Sequence, residues 1–170
     1  MKKKKSEFTF DGQRPDEVVL HVWRQHPWVM GKVAMLVVVI IFLSLIPLLL
    51  PGGFTGINLI IGALIISAML IANKLYLWWN TVYVLSNQRI IGIEQKQLIS
   101  KVVREVPLKN IQNTTIFQNG MGPTTFGYGT IKIQTAGGKT ALRVHNVENP
   151  IKSQQLITEA AHKNNSPSTL

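Results

Sequence analysis

A chain of 170 residues with a net charge of +10 and no cysteine is about one domain long and can form neither a disulfide nor a thiolate metal site. Its 46% hydrophobic content is uneven, because no charged residue occurs from Val33 to Asn73. A run of that length without a polar face argues against the buried helix pair of a soluble core, which rarely runs so long.

Residues 1–16 are polar and basic, with Lys2 to Lys5 near the start and "DGQRP" as a turn, and read as flexible. Residues 17–28 contain "EVVLHVWRQ", which alternates in part. That segment is a strand joining a soluble domain or an interfacial segment before the membrane, and the alternation favours the strand. Two apolar runs follow, residues 29–50 and 57–79, separated by "PGGFTG". At about 1.5 Å rise per residue each reaches across a hydrocarbon core of roughly 30 Å. Pro47 is expected to kink or end the first helix. A cleaved signal peptide would place its apolar part nearer the start, so a transmembrane hairpin is the reading.

Lys and Arg flank this hairpin on both sides, and "PGGFTG" carries none. The positive-inside rule then places both termini in the cytoplasm of a multi-pass protein of the cell membrane. Trp23, Trp28, Trp78 and Trp79 stand where interfacial anchors belong, and Lys74 can snorkel. Residues 1–32 carry +3 and residues 80–170 carry +6, a charge suited to an anionic inner leaflet. Nucleic acid is not expected as a partner, because the charges form no stripe interleaved with aromatics.

After Trp79 the period changes to two. "TVYVLS", "RIIGIE", "LISKVVREVPL", "IQNTTIFQ", "YGTIKIQT" and "TALRVHNV" read as strands divided by turn residues. "NPIKSQQLITEAAHK" reads as one amphipathic helix, with Asn149 as N-cap and Pro150 in its first turn. Ser153, Leu156, Ile157, Ala160 and Ala161 share a face. The soluble domain spans 80–163, and 164–170 reads as a disordered tail.

The fold class is therefore membrane-anchored and mainly β: a two-helix transmembrane hairpin, then six to seven antiparallel strands in a pleckstrin-homology-like barrel or sandwich, capped by a C-terminal helix. On "YVLSNQRII", "VPLKNIQNTTI", "FGYGTIKIQTAGG" and "VHNVENP" the chain resembles the bacterial PH-domain family, membrane-flanked domains of unknown function. The resemblance implies a membrane-anchored PH-like module and no particular reaction. Eukaryotic PH domains that bind phosphoinositides use basic residues around their first strand-to-strand loop. The turn matched to that loop, "SNQR", offers only Arg89.

"GGKT" lacks the earlier glycine of a phosphate loop, since Ile133 stands there. A two-residue hairpin turn at Gly137-Gly138 explains it better. That turn pairs position i with 275 minus i. Ile133 then faces Leu142 and Ile131 faces Val144 on a buried side. On the other side Lys132 lies opposite Arg143 and Thr130 opposite His145. Lys132, Arg143 and His145 are a candidate anion site. If the strands alternate away from and back to the bilayer, "NGMGPTTFG" is a membrane-proximal loop presenting Met121 and Phe126. No histidine pair has metal spacing and no carboxylates are paired for acid–base work, so no enzyme, metal or cofactor is expected. The expected partners are the bilayer, anionic headgroups, and other membrane proteins or further copies of the chain. The expected role is a lipid-, peptide- or protein-binding module. The alternative is an oligomeric scaffold or accessory subunit of a membrane transport or export complex.

Overall fold

The computed structural model describes residues 12–49, 53–135 and 140–165. Lys2 to Lys5 and the turn at Gly137-Gly138 lie outside them. The chain divides into two compact units.

The smaller unit is Pro27–Trp79. A 3-10 turn, Pro27–Met30, leads into helix α1, Gly31–Leu45. The α-helix stops two residues before Pro47, whose ring cannot sit in a helix interior, and Ile46–Leu49 continues as a 3-10 turn. Helix α2, Gly53–Trp79, begins four residues before the predicted Ile57, so the connector is shorter than the sequence suggests. The two helices pack on each other. Among the described residues of the two helices, Val37 on α1 and Gly56, Ala63 and Ser67 on α2 are buried. Outward-facing Met35, Phe42, Ile65 and Met69 are mostly exposed. Pro27–Leu45 and Gly56–Trp79 are both long and apolar enough to cross a membrane.

The larger unit takes its chain from both sides of the smaller one. Strand β1, Val19–Arg24, pairs antiparallel with β2, Val82–Ser86, from Val19↔Ser86 to Arg24↔Val82. The segment before the apolar run is thus a strand. The domain does not simply follow the helices, because α1 and α2 occupy the connection between its first two strands. β3, Arg89–Gln95, and β4, Lys101–Pro107, complete a sheet in the order β1-β2-β3-β4. A short 3-10 turn, Leu108–Asn110, leads to β5, Ile111–Phe117. β6, Tyr128–Thr135, and β7, Thr140–Glu148, join β5 in a second sheet, β5-β6-β7.

Period-two alternation turns Tyr83, Leu85 and Ile90 of the first sheet toward Ile131, Ile133 and Leu142 of the second, all at most 1% exposed. Gly92 permits this approach: a Cβ there would meet Leu142 Cδ1 at 2.7 Å and the Tyr83 ring at 3.2 Å. Helix α4, Pro150–Asn165, closes the core with Ser153, Ile157 and Ala161. Its Gln154 donates to the Thr114 carbonyl at 2.6 Å, tying it to the edge strand β5. Leu156, assigned to the same face, is 39% exposed. Asn149 has the left-handed φ of +48°, unlike the extended backbone of a usual N-cap. α4 also passes the predicted end at Lys163, held by a hydrogen bond from the Asn164 side chain to the Asn87 carbonyl at 3.1 Å.

Two further expectations need correction. Trp23 is 5% exposed within the core, opposite Tyr83, and so is not an interfacial anchor. Residues 13–16, read as part of a flexible arm, are tied down: the Gln13 side chain donates to the Glu17 carbonyl at 2.8 Å and Asn87 Nδ2 to the Asp16 carbonyl at 3.3 Å.

Candidate functional site

The predicted register holds where it matters most. Ile131 pairs with Val144, Lys132 with Arg143 and Ile133 with Leu142. Because Cβ atoms alternate across a strand, Lys132 and Arg143 then share the face of the second sheet away from the core. The pattern breaks on both sides of these three pairs. Toward the turn the register shifts after Ile133, and Gln134 pairs with Thr140. At the other end a bulge falls between Gly129 and Ile131, so the predicted Thr130–His145 pair does not form in register, and Thr130 Oγ1 instead accepts the Asn146 N–H at 3.3 Å. Asn146 takes the left-handed φ of +50° at this irregularity. Bulges re-aim side chains. Here Thr130, Lys132, Arg143 and His145 all line one cavity of about 370 Å³.

Phe117, Asn119 and Pro123 form the other wall. The segment expected as an open loop contains a short helix, α3, Met121–Phe126, ended by Gly127 at φ +64°. α3 leaves Met121 89% exposed and Phe126 45% exposed. The two groups of residues singled out separately in the sequence, the basic pair and the uncharged segment, are therefore adjacent. Gly129, also at the cavity, leaves little room for a side chain, since a Cβ there would lie 2.8 Å from Gln118 Cγ and 3.1 Å from the Phe117 carbonyl oxygen.

The cavity is basic. Burial pushes the His145 imidazole below its ordinary pKa, Glu94 opposes that shift, and Arg143, Lys96 and Arg104 add to it. His145 is thus a neutral donor or acceptor at neutral pH, and the positive charge comes from Lys132 and Arg143. Nearby, His26 donates its backbone N–H to the Asn146 carbonyl at 2.7 Å and stacks on Tyr128 at 5.1 Å between ring centroids. The rim of the cavity is thereby fixed to the residue immediately before Pro27.

Trp28 and Trp79 are exposed, and Trp78 and Lys74 are half-buried, all four within the apolar unit. Trp78 and Trp79 meet edge to face at 6.0 Å.

Arg89 is not available to a ligand. Its guanidinium donates to Glu17 at 2.8 and 2.9 Å, to the Gly12 carbonyl at 2.8 Å and to Glu105. Glu17 has no exposed side-chain surface and also accepts from Ser86 at 2.7 Å. Burial by itself raises the Glu17 pKa, but the hydrogen bonds from Arg89, Ser86 and the Arg14 backbone outweigh it and hold the carboxyl at about 2. Glu105 on β4 belongs to this group as well. "SNQR" is moreover the second strand-to-strand connection, since β1 comes before the helices. The sequence hid this network because its partners lie far apart, Glu17 being 72 residues from Arg89. Among the described residues no group of three or more His, Asp or Glu side chains could hold a metal ion.

No curated protein matches the chain. Among solved structures it is similar to a DUF1696 family protein with a pleckstrin-homology domain from Shewanella loihica PV-4, at 19% identity and a TM-score of 0.38, covering 48% of this chain and 70% of the other. It is also similar to a pleckstrin homology domain from Shewanella amazonensis SB2B, at 16% identity and a TM-score of 0.38, covering 48% and 66%. The family model for the bacterial PH domain matches residues 29–161. With two antiparallel sheets, a C-terminal helix and that match over most of its length, the chain belongs to the bacterial PH-domain family.

Proposed function

We propose that this chain is an integral membrane protein whose PH-like domain works at the cytoplasmic surface as a non-catalytic module for anionic groups, with phosphate-bearing lipid headgroups as the ligand class. The observation that carries this reading is the cavity lined by Lys132, Arg143 and His145, whose rim residue Asn146 is bonded to His26 at the foot of an apolar segment. Two cations of like sign directly opposed on neighbouring strands cost a few tenths to about 1 kcal/mol. An anion between them removes that repulsion and gains charge-assisted hydrogen bonds. The neutral imidazole of His145 adds a directional contact.

The β1–β2 pairing supports the membrane part of the reading. Neighbouring strands of one sheet lie on one side of any bilayer, so the chain between Arg24 and Val82 must cross it an even number of times. Two apolar helices satisfy that parity, and the Lys/Arg excess on both flanks supports a cytoplasmic domain.

A cysteine at Gly53 is expected to react with an impermeant thiol reagent applied to intact cells, whereas one at Asn164 is not; the reverse pattern would remove the cytoplasmic assignment. For the site, the detergent-solubilised full chain can be titrated with short-chain phosphatidylserine in a calorimeter. Lys132→Ala or Arg143→Ala should each weaken binding roughly fivefold, corresponding to about 1 kcal/mol per basic residue. The thermal midpoint should hold or rise as the repulsion is relieved. Unchanged affinity in both variants would mean that the cavity is not where the headgroup binds.

A further inference from the structure

The turn between β3 and β4, Lys96–Ser100, has a composition the core does not explain. Ile99 is 99% exposed and Leu98 is 58% exposed, and Val103 on β4 is 51% exposed. A lone exposed leucine is unremarkable in any protein. Here two adjacent aliphatic residues form the tip of a turn and are flanked by the exposed cations Lys96 and Lys101.

The tip is also preformed. Lys96 and Gln97 donate backbone N–H groups to the Ser100 carbonyl at 2.9 and 3.3 Å, and Ser100 donates back to Gln97 at 3.2 Å. The Gln95 side chain donates to the carbonyls of Gln97 and Leu98 at 2.6 and 3.2 Å. Several of the turn's backbone groups are thus met internally, the Leu98 carbonyl among them, which lowers the cost of taking the turn out of water relative to an open loop. Its place in the sheet is defined as well. Val82 pairs with Ile93, and the Gln95 N–H donates to Thr81 Oγ1 at 3.4 Å. Thr81 lies two residues beyond Trp79, the last residue of α2. The turn thus stands at the end of the sheet where the chain arrives from the apolar helices.

We propose that the β3–β4 turn is a membrane-inserting tip, with Leu98 and Ile99 in the outer hydrocarbon of the bilayer and Lys96 and Lys101 among anionic headgroups. This rests on the membrane anchoring proposed above but not on the occupancy of the Lys132–Arg143 cavity. Aliphatic side chains flanked by lysines suit the boundary between headgroups and acyl chains, where the apolar part is buried and the ammonium groups stay solvated. Anchoring by α2 holds the tip at high effective concentration next to the surface, so a small insertion suffices to set the tilt of the domain.

The chain has no cysteine, so Ile99→Cys and Asn164→Cys each give one labelling position. Asn164 is bonded to Asn87, in the turn at the opposite end of β2 and β3. Both variants of the full chain, carrying an environment-sensitive fluorophore, are reconstituted in vesicles of phosphatidylcholine and phosphatidylglycerol with and without lipids brominated on their acyl chains. The expected result is blue-shifted emission at position 99, with quenching by brominated lipid several-fold greater than at position 164. Equal quenching at the two positions overturns the proposal. So does a blue shift at 99 that brominated lipid does not quench, which would place the tip against protein. The measurement is repeated with Lys132→Ala and Arg143→Ala combined: quenching at 99 retained in that variant supports a tip independent of the cavity, and loss of quenching at 99 overturns it. Extraction of the chain from vesicles by alkaline carbonate overturns both the tip and the membrane anchoring.

Discussion

Arg89→Ala is expected to destabilise the PH-like domain by about 3–5 kcal/mol, the usual cost of removing one partner from a buried ion pair. Glu17 would remain with no exposed side-chain surface and its main counter-charge gone. The lost bonds also join three segments, namely the stretch before β1, the start of β3 and β4 through Glu105. Pulse proteolysis of the full chain in nanodiscs across a urea series measures the effect, and a loss below about 1 kcal/mol would show that the network contributes little. Replacing both partners by apolar residues, as in Glu17→Leu with Arg89→Met, should recover part of the loss, because the desolvated charge then disappears with its partner. The same network predicts a pH dependence. The folded Glu17 carboxyl is depressed to about 2 from 4.5, so its stabilisation is complete above pH 4.5 and fades as the pH falls toward 2. Glu17→Gln should flatten the stability curve in that window and leave its shape near neutrality unchanged.

A chain beginning at Asn80 is expected not to fold. It would retain six of the seven strands found among the described residues but would leave β2 as an edge with a row of unpaired backbone groups. It would also remove Trp23 from the core and Val19 from the smaller cluster with Val84 and Ile91 on the other face of the sheet. Loss of a buried tryptophan alone costs about 3–5 kcal/mol, a large share of the roughly 5–15 kcal/mol that holds a typical domain together. Joining residues 12–26 to 80–165 through a short turn should restore a soluble, protease-resistant domain, since Arg24 and Val82 are already cross-strand neighbours. Heteronuclear NMR spectra of the two chains distinguish the outcomes. A dispersed spectrum from the truncated chain would mean that β1 is an accessory and not part of the core.

These two predictions rest on features that the sequence shows unequally. The strands after Trp79 are visible because each alternates on its own and ends at turn residues. The Lys132–Arg143 opposition follows from a local hairpin, where loop length sets register, but the pattern fails at Thr130 and at Gln134 because register shifts leave no signature in residue order. The β1–β2 pairing joins segments on either side of two helices, and no periodicity reports such a contact. Trp23 illustrates the same limit: beside an apolar run a tryptophan reads as an anchor, and only the pairing with β2 turns it inward. α3 was hidden by its composition, as "MGPTTF" contains glycine, proline and two threonines, all poor helix formers.

The position of the helices inside the sheet also orders events during synthesis. β1 leaves the ribosome first, and its partner β2 is made only after both apolar helices. Until then β1 is an unpaired strand, and the domain has no core to close around. On the membrane anchoring proposed above, failure of one helix to insert would leave β1 and β2 on opposite sides of the bilayer, and the sheet could not form. Folding of the domain would then be a check on insertion of the hairpin, with a misinserted chain presenting an unfolded domain to proteases. In a series of variants with charged residues placed in α1 or α2, the fraction of protease-resistant domain should track the fraction of correctly inserted hairpin one for one.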